Sequence, residues 1–126
     1  MTVTGQRGSM GGMAHCAGLA AEDRVAEAYE RRGYAVAQKR WRGAGGEIDL
    51  ILRGDGTLVF VEVKQSRSHA QAAQRLSARQ MARICASAEE FIGSEPAGAL
   101  SEVRFDVALV DGCGQFSIIE NAFGQV

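Results

Sequence analysis

Asp49, Glu62 and Lys64 are the residues of this chain best placed by type and spacing to do chemistry. They lie in the stretch GGEIDLILRGDGTLVFVEVK, residues 45–64, within two runs that otherwise read as β-strand. A surface hairpin can scatter charges anywhere, but a buried one excludes them, because isolated buried charge is costly or neutralises itself. Two carboxylates that converge beside an ammonium suit a hard cation, Mg²⁺ or Mn²⁺, which takes carboxylate oxygens and keeps several waters.

The hairpin that must position them can be read residue by residue. Strand side chains alternate between faces, which groups Ile48, Leu50 and Leu52 against Glu47, Asp49 and Ile51, and Val59, Val61 and Val63 against Phe60, Glu62 and Lys64. If Gly54 to Thr57 form the turn, Arg53 pairs with Leu58, Leu52 with Val59, Leu50 with Val61 and Ile48 with Val63. One face is then wholly aliphatic, which supports the register. The same register sets Asp49 opposite Glu62 and Glu47 opposite Lys64. Directly opposed like charges are destabilising, so the Asp49–Glu62 pair asks for a cation between the two carboxylates.

Around the hairpin, residues 1–17 are rich in Gly, Ser and Met without periodicity and are expected to form a flexible tail; residues 18–126 are expected to form one domain. Residues 19–32 read as a helix with Glu22, Val25, Ala26 and Tyr29 on one stripe and Gly33 as its stop. Glu22 on that stripe points inward toward the sheet, or else is a helix N-terminal acid favoured by the macrodipole. YAVAQKRW reads as a first strand and RGAGG as a loop into the hairpin. A long helix is expected over roughly 70–92, with Met81, Ile84, Cys85, Ala88, Phe91 and Ile92 as its apolar stripe. VRFDVALV and QFSII read as closing strands. The order α-β-β-β-α-β, with one strand added, predicts an α/β fold with a mixed central sheet flanked by helices.

Composition narrows the function classes. The chain has 126 residues and a net charge of -1. No apolar run approaches a membrane span, and the N-terminal stretch lacks an apolar signal segment, so neither membrane nor export is expected. Three cysteines without C-x-x-C spacing give no zinc site and no disulfide-linked partner, and suit a reducing cytoplasm. Charge is unevenly spread. Lys64 to Ala88 carry no acid but hold Arg67, Arg75, Arg79 and Arg83, and RRGYAVAQKRWRG is a second basic cluster with Arg40 and Arg42. The spacing of Arg75, Arg79 and Arg83 fits either a solvated helix face or a phosphate-contacting one. Trp41 either stacks on a base or caps the core. His15 and His69 are isolated and are assigned no role.

Asp49 followed by Glu62-Val63-Lys64 resembles the acid and acid-x-Lys pattern of the PD-(D/E)xK nuclease superfamily, with its restriction-endonuclease-like fold. More narrowly, AEDRVAEAYERRGY, GGEIDLI, LVFVEVK, RFDVALV and the terminal IENAF resemble the bacterial YraN family (UPF0102) from Gly18 to Phe123. The resemblance implies that Asp49, Glu62, the Val63 carbonyl and Glu22 are metal ligands. It gives Lys64 the role of orienting or deprotonating the attacking water. After the acid-x-Lys the family usually has Thr or Arg where this chain has QSRS. The family's Lys-Gln pair at the start of the long helix has its nearest counterpart in Arg79-Gln80. The resulting expectation is a Mg²⁺-dependent nuclease acting on DNA by structure rather than by sequence, since so small a domain has little surface for base reading. Arg40, Trp41, Arg42, Arg67, Arg75, Arg79 and Arg83 would be its nucleic-acid contacts, and a homodimer is compatible with it. The alternative is a non-catalytic nucleic-acid-binding or assembly module on the same fold.

Overall fold

The computed structural model describes residues 13–65, 77–98, 102–111 and 115–122, with side chains from residue 21 onward. Its centre is the hairpin of β2 (Gly46–Gly54) and β3 (Thr57–Gln65). Asp55 and Gly56 both take positive φ, 56° and 77°, at the turn, the left-handed pair that a two-residue hairpin requires and that Asp-Gly supplies at least cost. The predicted register is found: Arg53 pairs with Leu58, Leu52 with Val59 and Leu50 with Val61.

Pairing then stops. The β2–β3 ladder ends at Leu50↔Val61, so the expected Ile48–Val63, Asp49–Glu62 and Glu47–Lys64 ladder pairs are not formed. Beyond Leu50, β2 stays with β1 (Ala35–Gly43), where Ile48 faces Trp41 and Glu47 faces Arg42. β1 carries a register shift between Val36 and Gln38, and Arg40 has a φ of 52°. Irregularities of this kind bend a strand and raise its twist. The bend carries Ile48 to the opposite face from the one predicted, into one cluster with Ile51 rather than with Leu50 and Leu52. Strict alternation fails here because it presumes a regular ladder.

The sheet has five strands in the order β1-β2-β3-β4-β5, with β4 at Glu102–Val110 and β5 at Phe116–Ile119. Neighbours are antiparallel except β3 and β4, which run parallel and are connected through α2 (Ala78–Gly93). Helix α1 (Met13–Arg31) begins before the expected residue 19, so residues 13–17, assigned to the tail, continue it; Met, Ala and Cys there do not oppose helix as the preceding glycines do. It ends where the Gly33 and Tyr34 N–H groups donate to the Glu30 and Tyr29 carbonyls. The expected helix from 70 does not run unbroken. Ser77 is extended and its hydroxyl accepts the Gln80 N–H at 3.1 Å, which makes it the N-cap of α2. Residues 66–76, with Arg67 and Arg75, lie outside the described part, and Arg75 precedes this cap. Among the described residues no helix is long and apolar enough to cross a membrane.

The helices cover opposite faces. Val25, Ala26 and Tyr29 of α1 pack on Leu50, Leu52, Val59, Val61, Ala108 and Val110. Ile84, Ala88 and Phe91 of α2 pack on Ile48, Ile51, Phe60, Phe105 and Val107, with Cys85 at the margin as expected. The outcome is the α/β arrangement foreseen, with a mixed sheet between two helices. Asp106 interrupts this apolar interior on β4 and is fully buried. Arg104 grips it with two bonds of 2.9 Å, the Tyr29 hydroxyl donates at 2.6 Å and the Asn121 N–H at 2.9 Å. Burial and the bond to Asp106 push the Tyr29 hydroxyl far above its ordinary range, so it remains a donor. One carboxylate thus joins α1, β4 and the segment after β5.

Asp106→Ala leaves that cation and those donors without their acceptor, and should cost about 3–5 kcal/mol in urea unfolding. Tyr29→Phe removes one donor of four and should cost about 1–2 kcal/mol. Equal small losses in both variants would show that Asp106 ties nothing together.

Candidate active site at the strand fork

Where β2 leaves β3, the Val63 N–H loses its strand partner. Asp49 replaces it: its Oδ2 accepts that N–H at 2.8 Å. Asp49 therefore sits at the fork rather than out on a face, and its carboxyl lies against that of Glu62. Burial first, then the Glu62 charge, push Asp49 up to about 7; the bond from Val63 and the Lys64 ammonium act the other way, and a hydrogen bond shared with Glu62 raises it further. The expected convergence of the two carboxyl groups on neighbouring strands is present, produced by a fork instead of a continued ladder.

Glu62 is 7% exposed. Its Oε2 accepts the Gln80 Nε2 of α2 at 2.7 Å and meets the Lys64 Nζ at 3.2 Å. Its Oε1 is buried with no hydrogen-bond donor among the described residues. A buried carboxylate oxygen without a donor is a place for a ligand or a proton. Lys64 lies two residues on along β3, which puts it on the same side of the strand as Glu62. Val63 lies between the two, its N–H committed to Asp49. Asp49 and Glu62 are the residues that could hold a hard cation here.

Glu22 comes to the same region from α1. It is 16% exposed in its side chain and pairs with Arg40, Oε1 to Nε at 3.2 Å. Burial raises its pKa, Arg40 opposes the rise, and the charges of Asp49 and Glu47 add to it. The inward orientation is therefore the one found. Glu22 does not, however, close a three-carboxylate chelate with Asp49 and Glu62: among the described residues no three His, Cys, Asp or Glu side chains form a metal-holding group.

Helix α2 supports the site from the other face. Gln80, which the sequence offered only as half of Arg79-Gln80, is the residue that orients Glu62; the resemblance to a Lys-Gln pair at the start of the long helix was its one signal. The β1–β2 turn at Ala44-Gly45 is clamped to the same helix by Ala44 N–H to Glu90 Oε1, 2.8 Å, and by Ser87 Oγ to the Gly46 carbonyl, 2.9 Å. A Cβ on Gly45 would stand 2.8 Å from the Arg83 carbonyl, so only glycine permits this approach. A cleft of about 200 Å³ opens between turn and helix, lined by Gly45, Gly46, Glu47, Gln80, Arg83 and Ile84. A larger hollow of about 510 Å³ lies at the far end of the hairpin, between Arg53, Asp55, Glu95 and Glu102, and includes none of the carboxylate set.

The basic residues divide. Lys39 pairs with Asp23 at 3.1 Å and Arg40 with Glu22, so much of the KRWR cluster binds α1 to β1 instead of forming an open positive patch. Trp41 packs edge-on against Phe91 with ring centroids 5.3 Å apart, which gives it the core-capping role. Arg42 is exposed opposite Glu47 in the β1–β2 pairing, and Arg79 and Arg83 are exposed on α2, Arg83 at the cleft.

Comparison with known proteins adds the following. A profile of the family described as "Uncharacterised protein family UPF0102" matches residues 21–110, which include Glu22, Asp49, Glu62, Lys64, Gln80 and Asp106. A UPF0102 protein of Ruegeria pomeroyi is 59% identical over 117 residues, 93% of this chain and 95% of the relative. Another from Cereibacter sphaeroides is 58% identical over 113 residues, 90% and 97% of the two chains. One from Roseobacter denitrificans is 51% identical over 125 residues, 99% and 97% of the two chains.

The geometry gives a pH dependence whose sign can be worked out. Between the ordinary carboxylate range and about pH 7 the folded state holds a proton on Asp49 that the unfolded chain has lost. In chelator-containing buffer, stability should therefore fall as pH rises from about 4 to 7. Asp49→Asn keeps an oxygen for the Val63 N–H and adds a donor toward Glu62. It should flatten that slope and gain at least about 1 kcal/mol at pH 8. Asp49→Ala strands the Val63 N–H and should be less stable than Asp49→Asn by about 1–3 kcal/mol. A wild-type slope unchanged in Asp49→Asn, measured by urea unfolding across pH, would contradict the assignment.

Proposed function

The chain belongs to the UPF0102 family, and on that premise we propose that it is a metal-dependent nuclease of the PD-(D/E)xK, restriction-endonuclease-like kind. It hydrolyses DNA phosphodiester bonds, selecting substrates by structure rather than by base sequence. The observation that carries this reading is the under-satisfied carboxylate pair at the fork: Asp49 pushed up to about 7 against Glu62, and a Glu62 oxygen buried without a donor. Such a pair fits a divalent cation, which would be held by Asp49 and Glu62, with the Val63 carbonyl and Glu22 as the further oxygens that the family resemblance suggests. A bound Mg²⁺ or Mn²⁺ would acidify water and offset charge on the phosphate.

The chain's own residues supply the rest. Gln80 fixes one Glu62 oxygen and thereby the direction of the other. Lys64, 3.2 Å from Glu62, stands where an ammonium can orient a water and offset the negative charge that builds on the phosphoryl oxygens. The water's oxygen bonds to phosphorus as the bond from phosphorus to the departing sugar oxygen breaks in line; the water's proton passes to bulk solvent, which returns one to the departing sugar oxygen. The small cleft beside Gln80, with Arg83 at its rim, gives the flanking backbone a place to lie. The scattered cysteines suit a reducing, cytoplasmic setting for this activity.

The test is cleavage of a panel of branched, flapped, single-stranded and duplex DNAs with Mg²⁺ or Mn²⁺. Lys64→Ala should abolish cleavage while DNA affinity stays within a few-fold, because one lost phosphate contact changes affinity modestly. Wild-type protein that binds DNA without cleaving any of the panel, and that Lys64→Ala matches, would leave the binding-module alternative standing.

A further inference from the structure

Arg40 is the residue that the proposed chemistry leaves unexplained. It lies in β1 between Lys39, paired with Leu50, and Trp41, paired with Ile48, and so stands across from Asp49. Its φ of 52° is a backbone conformation that a long side chain adopts only when its surroundings enforce it. That conformation aims the guanidinium at Glu22, which it meets through Nε at 3.2 Å. The charges of Glu22, Glu47 and Asp49 all act on it. Asp49 in turn touches Glu62, whose Oε1 is buried without a donor among the described residues.

We infer that Arg40 is an exchangeable counter-cation, resting on the nuclease reading above: it holds Glu22 while the site carries neither a divalent ion nor DNA, and moves to a substrate phosphate when Glu22 turns to the ion. The contact that must break suits the exchange. The Arg40 side chain is 46% exposed, and exposed ion pairs are weak enough to be replaced. A guanidinium released at the rim of the fork is a phosphate ligand with the right geometry and charge. The exchange also accounts for the present position of Glu22, half-buried near Asp49 yet outside a chelate with the carboxylate pair among the described residues. The neighbouring Lys39–Asp23 pair makes the same α1–β1 tie but is exposed on both sides, at 49% and 62%, and provides the control.

The exchange makes metal and DNA affinities move in opposite directions. Arg40→Gly removes the guanidinium and suits the positive φ. Calorimetry with Mn²⁺ alone should show it binding the ion about two- to five-fold more tightly than wild type, the range of an exposed ion pair. Anisotropy with a short labelled duplex of non-hydrolysable linkages in Mn²⁺ should show weaker DNA binding, with a salt slope smaller by about one, and a smaller loss in chelator, where Arg40 stays on Glu22. Lys39→Ala should leave the Mn²⁺ affinity at the wild-type value. Should Arg40→Gly fold poorly in a melting assay, Arg40→Asn, which also tolerates a left-handed backbone, takes its place. Unchanged Mn²⁺ affinity in the Arg40 variant, or the same gain in Lys39→Ala, overturns the exchange while the nuclease reading stands. Absence of Mn²⁺ binding by the wild type overturns both.

Discussion

A carboxylate taken out of water must collect donors or give up its charge, and this protein depends on both solutions. Asp106 collects donors: Arg104, Tyr29 and the Asn121 backbone together give it four bonds, and through them the first helix, the fourth strand and the segment after the fifth are held as one body. Asp49 and Glu62, on β2 and β3 of the same sheet, are supplied less well. Besides the hydrogen bond they share, they have between them one backbone N–H, one amide and one ammonium, and one Glu62 oxygen is buried without a donor among the described residues. The contrast is the informative feature. A fold able to satisfy one buried acid so completely has the means to satisfy another, and a site where it does not is one where a ligand can complete the shell.

The fork of β2 from β3 is what makes the second site. Had the ladder continued past Leu50↔Val61, the Val63 N–H would be spent on a backbone carbonyl, and Asp49 and Glu62 would be a repelling cross-strand pair with side chains standing off the sheet. Instead β2 bends with β1, whose register shift and positive-φ Arg40 supply the curvature, and the Asp49 side chain takes over a backbone role. Helix α2 then locks the bend: Ser87 and Glu90 hold the turn, Gly45 allows the helix to approach it, and Gln80 reaches Glu62. Positioning and packing are therefore one event. The residues that keep the hairpin bent also aim the carboxylates.

Local charge is likewise settled by neighbours. The KRWR run is strongly basic in composition, yet Lys39 and Arg40 lie against Asp23 and Glu22, two consecutive acids of the first helix, and Trp41 lies against Phe91. A positive patch in a sequence becomes a positive surface only if the fold brings no acid to it. On α2, Arg79 and Arg83 are exposed, and one of them borders the cleft.

Much of this was legible in one dimension. The alternation in ILRGDGTLVFVE set the hairpin and its register, because a slip of one residue would have turned every aliphatic side chain to the wrong face. Helical spacing placed Val25, Ala26 and Tyr29 of α1 and Ile84, Ala88 and Phe91 of α2 on their buried stripes, and the mixed α/β layering followed from the order of the elements. The nearness of Asp49, Glu62 and Lys64 was likewise written in spacing along a hairpin. Other features depended on contacts between segments remote in sequence. Ser77 as a helix start went unread because the expected helix was drawn from about residue 70, although its apolar stripe begins only at Met81. Arg104 and Asp106 stand two apart in β4, and nothing in that spacing tells that Tyr29 and Asn121, 77 and 15 residues away, join them. The fork itself, the transfer of Ile48 to the other face, the Gln80 bond and the Glu22–Arg40 contact came only from tertiary structure. Periodicity describes a strand as if its neighbours were regular, whereas the site is formed where a neighbour bends and a side chain must replace the lost backbone bond.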